Sequence, residues 1–283
     1  MQIMETVALA CVGAVSVTTA LRVPFIGGSA AMGKMRYYRY AHRGLHDIKK
    51  GIAENTLPAF ERAVTLGFGS ELDVHLTKDG KLAVIHDSDL ERLCGKKMTV
   101  EELDYEELCH LDILGTGMHA PLLGQVLELY GGRAPLIVEV KTHKGNHNEL
   151  CQAVDEELKG YKGEYCVESF DPRAVRWFKV NSKNTIRGQL SADFLKRGQG
   201  TGMPRYQEIG LSMLFANCIT SPHFVAYKSS DMDNISVKTA CKLFKAGLFC
   251  WTVRSAEEMY TREEDGAAVI FEGFVPPSPT RSC

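Results

Sequence analysis

Strand-like and helix-like segments alternate along most of this chain, and this alternation limits the possible folds more than any other feature. Alternation of this kind implies parallel strands joined by helical crossovers. Eight or nine strands in about 235 residues favour a closed (β/α)8 barrel over an open sheet. The predicted strands, rich in apolar and β-branched residues, are residues 37–41, 70–75, 82–86, 135–141, 165–170, 185–190, 223–227, 248–253 and 267–271.

Capping residues mark several helix ends. Asp171 followed by Pro172 is predicted to open one helix, and Ser255 with Glu258 forms the pattern of a capping box. Further helices are predicted over residues 55–66, 100–108 and 234–246. Residues 88–123 interrupt the alternation and are predicted to form a small insertion over the barrel mouth.

The connection between residues 76 and 82 is too short for a helical crossover. It reads Thr77-Lys78-Asp79-Gly80-Lys81, and Asp-Gly is typical of a two-residue hairpin turn. If Lys78 pairs with Lys81, Asp73 lies opposite His86, and opposed residues share one face of a sheet. The spacing therefore predicts a hairpin that brings Asp73 beside His86 and makes the barrel irregular here.

Three carboxylates lie on or just after two of the predicted strands. Glu71 and Asp73 share one strand face, because strand side chains alternate, and Glu139 follows another apolar run. Like charges at this distance repel unless a cation lies between them. Oxygen ligands suit Mg²⁺ or Ca²⁺ rather than zinc, so one divalent cation is predicted here. The alternative is that these carboxylates are surface or ion-paired residues.

Two histidines and two cations complete this set. His42 and His86 each close an apolar strand, and histidine can accept and donate a proton near neutral pH. Arg43 offers a planar fork that matches phosphate oxygens, and Lys141 offers a point charge. Together with a hard metal, these residues suit cleavage of a phosphate ester.

Several motifs in this chain together resemble those of the glycerophosphodiester phosphodiesterase family, over about residues 38–277. The motifs are His42-Arg43-Gly44, Glu54-Asn55-Thr56, Glu71-Leu72-Asp73-Val74 with Thr77-Lys78-Asp79-Gly80, Val84-Ile85-His86-Asp87, Glu139-Val140-Lys141, Ser169-Phe170-Asp171 and Trp251-Thr252-Val253.

The resemblance implies an irregular (β/α)8 barrel of the triosephosphate-isomerase type and hydrolysis of glycerophosphodiesters to an alcohol and sn-glycerol 3-phosphate, in glycerophospholipid metabolism. Alternatives are a phospholipase D-like or lysophospholipase D activity on lipid phosphodiesters, and a catalytically inactive binding barrel. The implied site has a divalent metal on Glu71, Asp73 and Glu139, His42 and His86 as the acid and base, phosphate contacts from Arg43 and Lys141, and substrate contacts from Phe170 and Trp251.

Two positions depart from the family pattern. The family usually has Thr-Asp followed by a proline after its last strand, whereas this chain has Phe271-Glu272. Arg254 stands where Asn or Asp is common. Arg254 either favours an anionic head group or pairs with Glu257 or Glu258, so the leaving alcohol stays open.

The charge balance gives no sign of a nucleic-acid partner. The chain has 33 Lys and Arg against 35 Asp and Glu, a net charge of -2, and nucleic-acid binding would need a basic face. Nine cysteines without a Cys-x-x-Cys pair favour reduced thiols over disulfides or zinc.

The N-terminal segment is uncharged from Thr6 to Leu21 and is followed by Arg22 and other basic residues. The uncharged run predicts a membrane anchor within residues 6–33, and the positive-inside rule places the catalytic domain on the cytoplasmic side. A cleaved signal, an inert tail and a soluble cytoplasmic protein are the alternatives. Residues 24–35 are predicted as a linker, which separates an N-terminal segment (1–35) from a barrel domain (36–283). The oligomeric state stays open.

Overall fold

The strands form a closed barrel. The computed structural model describes residues 15–196 and 203–281. The strands in these ranges are β1 (Arg39–His42), β2 (Gly69–Leu76), β3 (Leu82–Val84), β4 (Leu136–Val140), β5 (Tyr165–Ser169), β6 (Arg187–Ser191), β7 (Phe224–Lys228), β8 (Gly247–Val253) and β9 (Ala268–Phe271). Eight of them pair in parallel in the order β1-β2-β4-β5-β6-β7-β8-β9 and back to β1, which confirms the predicted barrel.

Helices cover the outside of the barrel. Those of eight residues or more are α1 (Leu57–Thr65), α2 (Leu123–Tyr130), α3 (His147–Lys159), α4 (Pro172–Asn181), α5 (Arg205–Ser212) and α6 (Ala256–Glu264). Residues 15–21 are also helical. Shorter α-helical turns are Gly28–Ala31, Glu91–Cys94, Tyr105–Leu108, Asn217–Thr220 and Ile235–Lys238. The 3₁₀ turns are Gly33–Tyr37, Ile48–Lys50, Val100–Glu102 and Ser229–Asp231, and Thr239–Leu243 is a π-helical turn.

The inward faces of the strands change from apolar to charged along their length. On β4 the inward positions are Ile137 and then Glu139, and on β2 the carboxylates Glu71 and Asp73 share the inward face. The apolar inward residues, Ile137 among them, pack with Tyr40 and residues of β5, β7 and β8 in a core inside the barrel. The charged inward residues lie nearer the carboxyl end of the barrel, where loops after the strands add further side chains.

Residues 22–37 close the opposite end of the barrel. Met32 and Met35 are each 2% exposed and pack into the apolar core inside the strands. Gly247 makes room for this packing, because a Cβ there would lie 1.9 Å from the Met32 sulfur. Arg22 is also fixed, since its Nε donates to Ser236 Oγ at 2.8 Å. The segment predicted as a linker therefore packs against the barrel, while the domain division at residue 35 stays a prediction.

The predicted register of the β2–β3 hairpin is wrong by one residue. Leu76 pairs with Leu82, and Ile85 N donates to the Asp73 carbonyl, so Asp73 lies opposite Ile85 and not His86. The cause is a three-residue loop closed by Thr77, whose N donates to Lys81 O at 2.9 Å, with Gly80 at φ 77°. A glycine with positive φ at the end of such a loop is a common hairpin form.

Two predicted helices differ in extent from the structure. The segment predicted as helical over 234–246 is α-helical only over Ile235–Lys238 and continues as the π-helical turn Thr239–Leu243. The charged helix predicted over 100–108 is split at Leu103 into two turns, which begin after the N-cap positions Thr99 and Asp104. The backbone N–H groups of these two residues donate to Glu102 and Glu107. The caps predicted at Asp171 and Ser255 are confirmed.

The insertion over residues 88–123 has a small apolar core of its own. Leu90, Leu93, Val100 and Leu108 are buried there against Ile85. Among the described cysteines, which exclude Cys11 and Cys283, none forms a disulfide.

Residues 6–14 of the predicted membrane anchor lie outside the described residues, which begin at Val15. In the ranges 15–196 and 203–281 there is no helix of the length and apolar character that a bilayer crossing requires. The membrane association and cytoplasmic placement stay predictions.

Candidate active site

Four buried carboxylates meet at the carboxyl end of the barrel. The strand register pairs His42 with Glu71, Asp73 with Glu139, and Glu139 with Glu168. Each of the four carboxylate residues is at most 6% exposed. Parallel neighbours in register lie at one level of the barrel, so these carboxylates form an arc across β2, β4 and β5.

Three of these carboxylates fit a divalent cation. Glu71, Asp73 and Glu139 each place an oxygen so that all three oxygens lie within 4.8 Å of one another. Asp73 Oδ1 is buried and accepts no hydrogen bond within the described part of the chain, although Lys141 Nζ lies 3.4 Å away. Buried oxygen-only donors of this kind suit a hard cation such as Mg²⁺ or Ca²⁺. The residues therefore fit the predicted metal.

The carboxylates differ in how readily they ionise. Burial raises the pKa of Glu71 well above its usual range, and repulsion from Asp73 and Glu139 adds to this. Burial acts the same way on Asp73, but Lys141, His86 and Arg43 outweigh it and lower the pKa of that carboxyl. Asp73 is therefore the anionic centre of the cluster, while Glu71 would ionise readily only beside an added cation.

Two cations lie against these carboxylates. Lys141 Nζ is 3.1 Å from Glu139 Oε1, and its pKa is raised because Glu139 and Asp73 outweigh the effect of burial. Arg43 has a backbone φ of 54°, and its N donates to Glu71 Oε2 at 3.0 Å. Its side chain lies with Nε 3.5 Å from Asp73 Oδ2. Both residues predicted to contact phosphate thus border the candidate metal site.

His42 is part of a linked group with the two residues that depart from the family pattern. Its Nδ1 lies 2.6 Å from Glu272 Oε2, and the other oxygen of Glu272 accepts from Arg254 Nη1 at 2.7 Å. Burial raises the pKa of Glu272, but the hydrogen bond and charge of His42, with Arg254, lower it to about 2. Arg254 N also donates to Glu258 Oε2 at 2.9 Å, so Arg254 contacts both Glu272 and Glu258.

His86 has a corresponding carboxylate partner. Its Nδ1 contacts Asp87 Oδ1, and Asp87 in turn contacts Arg92 Nε from the insertion. Arg92 Nη2 donates to Glu54 Oε1 at 2.7 Å, and the same oxygen accepts from Arg43 Nη1 at 2.7 Å. A continuous chain of charged contacts therefore joins His86 to Arg43 through the insertion.

The predicted site residues surround one cavity system. A cavity of about 710 Å³ is lined by His86, Glu139, Lys141 and Phe170, among other residues. Beneath it lies a space of about 50 Å³, which is lined by His42, Arg43, Glu71, His86, Glu139, Glu168, Phe170, Leu190, Trp251 and Ile270. The Phe170 and Trp251 rings meet edge to face with centroids 5.7 Å apart. The indole Nε1 of Trp251 is buried without a hydrogen-bond partner among the described residues, so it is free to donate to a ligand.

The structure thus brings together all nine residues predicted for the site, and it adds others that the sequence analysis missed. Asn55 Nδ2 donates to Asp73 Oδ2 at 2.8 Å, and Glu168 adds a fourth carboxylate. Glu168 could have been predicted from the sequence, because it follows an apolar strand segment in the same way as Glu139. Arg92 and the contact between Glu272 and His42 had no such signal, since they depend on elements far apart in the chain.

Comparison with known proteins places the chain in one family. The sequence profile of the Glycerophosphoryl diester phosphodiesterase family matches residues 42–275. A glycerophosphodiester phosphodiesterase from Caldanaerobacter subterraneus subsp. tengcongensis is 31% identical over 231 residues, which cover 77% of this chain and 86% of that protein. The lysophospholipase D GDPD1 of Rattus norvegicus is 39% identical over 125 residues, which cover 40% of this chain but only 38% of the rat protein.

A solved structure shows the same fold. A phosphodiesterase from Oleispira antarctica, in complex with the product sn-glycerol-3-phosphate, superposes with a TM-score of 0.66 at 21% identity, covering 83% of this chain and 92% of that chain. The family match runs from His42 of β1 to the segment after β9 and includes every predicted site residue. The resemblance is confirmed, and the chain belongs to the glycerophosphoryl diester phosphodiesterase family, a family of phosphoric diester hydrolases.

Proposed function

We propose that this protein is a metal-dependent phosphodiesterase that hydrolyses glycerophosphodiesters to an alcohol and sn-glycerol 3-phosphate, in glycerophospholipid metabolism. The observation that carries the proposal is the convergence of the Glu71, Asp73 and Glu139 oxygens within 4.8 Å. Two cations border this cluster, and His42 and His86 line the same space. The name of the Caldanaerobacter relative and the product bound to the Oleispira enzyme agree with this substrate class.

The metal would be held by Glu71, Asp73 and Glu139. When bound, a divalent cation neutralises phosphate charge and polarises a phosphoryl oxygen. Arg43 presents a guanidinium fork to phosphate oxygens, and Lys141 adds a second positive charge. Both side chains already contact the carboxylates, so they would need little movement to bind an arriving phosphate.

The two histidines would transfer the protons. Each has Nδ1 beside a carboxylate, Glu272 for His42 and Asp87 for His86. A carboxylate at Nδ1 fixes the proton there and leaves Nε2 to exchange a proton with the substrate. One histidine takes a proton from the nucleophile, either water or the glycerol hydroxyl of the substrate, as that oxygen bonds to phosphorus. The other protonates the leaving alkoxide as its P–O bond breaks.

The histidine roles predict a large loss of turnover. His42→Ala and His86→Ala should each lower kcat on glycerophosphocholine by about 10²–10⁴-fold, the usual contribution of a positioned acid or base. The matched control is His110→Ala, because His110 is exposed on the insertion and lies outside the site. Retention of normal kcat by either site variant, with the fold checked by circular dichroism, would remove that histidine from the mechanism.

The metal requirement is tested by calorimetric titration with Mg²⁺ and Ca²⁺ and by assay in excess chelator. Glu71→Gln, Asp73→Asn and Glu139→Gln should each weaken metal binding, because each removes an anionic ligand. Glu168→Gln is the control: burial raises the pKa of Glu168 well above its usual range, so a neutral amide resembles its protonated form. Full hydrolysis in excess chelator would refute metal dependence.

A second candidate, lysophospholipase D activity, is favoured by a specific observation. The rat relative carries that name, although the alignment covers only 38% of its length. In this chain, an apolar cavity adjoins the catalytic cavity and shares Thr142, Phe170 and Asp171 with it.

A further inference from the structure

One surface at the amino end of the barrel combines exposed apolar side chains with lysines. It is formed by residues 15–29 and by the segments that lead into β6, β7 and β8. Ile26 is 69% exposed and Leu243 is 62% exposed, and Ile219 and Phe25 are also exposed. Apolar side chains in such exposed positions stabilise the folded barrel little, so they are free to contact a partner.

Backbone hydrogen bonds join these segments into one continuous surface. Phe25 N donates to Pro222 O at 2.9 Å, and Ser29 N donates to Lys245 O at 3.0 Å. Pro222 and Lys245 each lie just before a strand, β7 and β8 respectively. The surface therefore lies at the amino ends of the strands, opposite the carboxylate cluster.

Lysines border the apolar side chains of this surface. Lys179 Nζ, in the last turn of α4, donates to Ile219 O at 2.8 Å, which extends the surface to α4. Lys183 follows one turn later, and Lys183, Lys242 and Lys245 are all exposed. Here, the amino-end surface means these three lysines together with Phe25, Ile26, Ile219 and Leu243.

The sequence around the amino-end surface carries positive charge alone. The segments that form it contain no aspartate or glutamate: residues 15–39, 173–192, 217–230 and 234–247. Because the whole chain has a net charge of -2, the negative charge is concentrated on the rest of the molecule. A negatively charged partner would therefore attract this end of the barrel and repel the others.

We propose that the amino-end surface binds the surface of a lipid bilayer that contains anionic lipids. Apolar side chains beside lysines suit this partner, because the apolar groups enter the headgroup region while the lysines contact anionic lipids. A nucleic acid would attract the lysines but would gain little from Ile26 and Leu243. The inference goes beyond the predicted anchor within residues 6–33, since it also uses the connections before β6, β7 and β8.

This orientation has a consequence for catalysis, which rests on the proposed function. The carboxylate cluster lies at the carboxyl end of the barrel, so a barrel bound by its amino end presents the catalytic cavity to water. The bound enzyme should therefore hydrolyse glycerophosphodiesters that are dissolved in water.

Two native cysteines test the orientation. Cys218 is exposed next to Ile219, whereas Cys109 lies on the insertion, at the other end of the barrel. The full chain is treated with a water-soluble maleimide, with vesicles of phosphatidylcholine alone or mixed with phosphatidylserine, and each labelled peptide is measured by mass spectrometry. The mixed vesicles should slow the labelling of Cys218 severalfold and leave that of Cys109 unchanged. Equal labelling of Cys218 with both kinds of vesicle would overturn the inference.

The lysines test the electrostatic part of the inference. One variant combines Lys183→Gln, Lys242→Gln and Lys245→Gln. The control variant combines three exposed lysines of the hairpin and the insertion, Lys78→Gln, Lys81→Gln and Lys96→Gln, and has the same net charge. The first variant should bind the mixed vesicles at least about tenfold more weakly in sedimentation, because each lysine near an anionic bilayer contributes about fivefold. Equal weakening in both variants would refute a localised surface.

The apolar side chains need a separate test. Ile26→Ser combined with Leu243→Ser should weaken sedimentation with the mixed vesicles, whereas Ile48→Ser combined with Leu114→Ser, at the carboxyl end, should not. Analytical ultracentrifugation without lipid tests a second copy of the chain as the partner. A parent dimer that becomes monomeric in the Ile26 and Leu243 variant would overturn the inference.

Activity separates failure of this inference from failure of the proposed function. The kcat/KM of the holoenzyme for glycerophosphocholine should be the same with and without bound vesicles, because the cavity faces water. Loss of this activity on binding would place the carboxyl end against the bilayer and overturn the inference. If the parent hydrolyses no phosphodiester, the proposed function fails, and the cysteine labelling, which needs no turnover, still decides whether this surface binds the bilayer.

Discussion

At the scale of single residues, Glu272 shows how a departure from a family pattern is accommodated. It lies between His42 Nδ1 and Arg254 Nη1, at 2.6 Å and 2.7 Å. The Glu272 side chain is longer than the aspartate that is usual in the family. The positive charge of Arg254 helps to keep Glu272 ionised and to hold it toward His42. Glu272 and Arg254 therefore act as one unit, in which the Arg254 side chain pairs with Glu272.

Loss of the Glu272 charge should reduce turnover through His42. Burial lowers the pKa of His42, and the hydrogen bond to Glu272 opposes this effect. In Glu272→Gln, the pKa of His42 should fall further, and kcat should fall by about tenfold or more because the imidazolium loses its anionic partner. NMR titration of the His42 ring and steady-state kinetics would measure the two effects.

The control for this prediction is Arg254→Gln. The Arg254 side chain is 64% exposed, so its pairing with Glu272 is screened by solvent, and the effect on kcat should be smaller. Glu272→Asp should recover part of the activity, because it restores the charge at a shorter reach. A Glu272→Gln enzyme with the kcat and the His42 titration of the parent would show that Glu272 does not position His42.

At the scale of elements, the register of the β2–β3 hairpin is set by its loop more than by its strand residues. Gly80 adopts φ 77° while a Cβ there would meet no atom within 4 Å. The obstacle to other residues at this position is therefore backbone conformation and not space.

Gly80→Ala should lower the free energy of unfolding by about 1 kcal/mol, because alanine is strained at positive φ. Gly80→Asn should cost less, since asparagine tolerates this conformation better than other residues. At Gly210, in helix α5, a Cβ would also meet no atom within 4 Å. Gly210→Ala should therefore change stability in the opposite direction, since alanine is the better helix former. Urea unfolding of the three variants measures these differences, and equal effects of Gly80→Ala and Gly80→Asn would contradict this explanation.

At the scale of the whole molecule, residues 22–37 close one end of the barrel and pack into its core. Met32 is 2% exposed in the core inside the strands, so removing its side chain leaves a cavity that the rigid barrel cannot easily close. Met32→Ala should cost about 2–5 kcal/mol of stability. Lys34→Ala, at an exposed position in the same segment, is the control, and equal thermal unfolding temperatures for these two variants would show that the segment does not support the core.

The end of the barrel that residues 22–37 close should become less stable in acid. His223 is buried, its Nδ1 accepts from Arg187 N at 3.2 Å, and its ring lies 4.7 Å from that of Phe25. Burial, with repulsion from Arg187, lowers the pKa of His223 to about 4. Between the ordinary histidine pKa of about 6.5 and this value, the unfolded chain binds a proton that the folded chain does not.

The parent should therefore lose stability as the pH falls from about 6.5 to 4, and His223→Gln should lose less over the same range. The gap between the thermal unfolding temperatures of parent and variant should change by a few degrees across this window. Scanning calorimetry at several pH values measures it. A gap that stays constant with pH would mean that His223 does not become protonated on unfolding.

The sequence by itself predicted the approximate strand positions, the closed barrel and the grouping of Glu71 and Asp73, whereas Phe170 and Trp251 came from the family resemblance. The first three follow from short-range patterns, because side-chain alternation places Glu71 and Asp73 on one face regardless of what lies opposite. The same reasoning failed at the hairpin, where the Asp-Gly signal did not distinguish a two-residue loop from the three-residue loop that the Thr77 and Lys81 pairing selects.

Only the tertiary structure decided what lies opposite each of these residues. Strand register set Glu168 beside Glu139, and barrel closure brought β9 next to β1, so that Glu272 meets His42. The Arg92 contacts, the packing of Met32 and the apolar cavity beside Phe170 likewise join segments far apart in the chain. The physical reason is that sequence periodicity specifies which face a side chain takes, whereas its partners depend on how distant elements pack and pair.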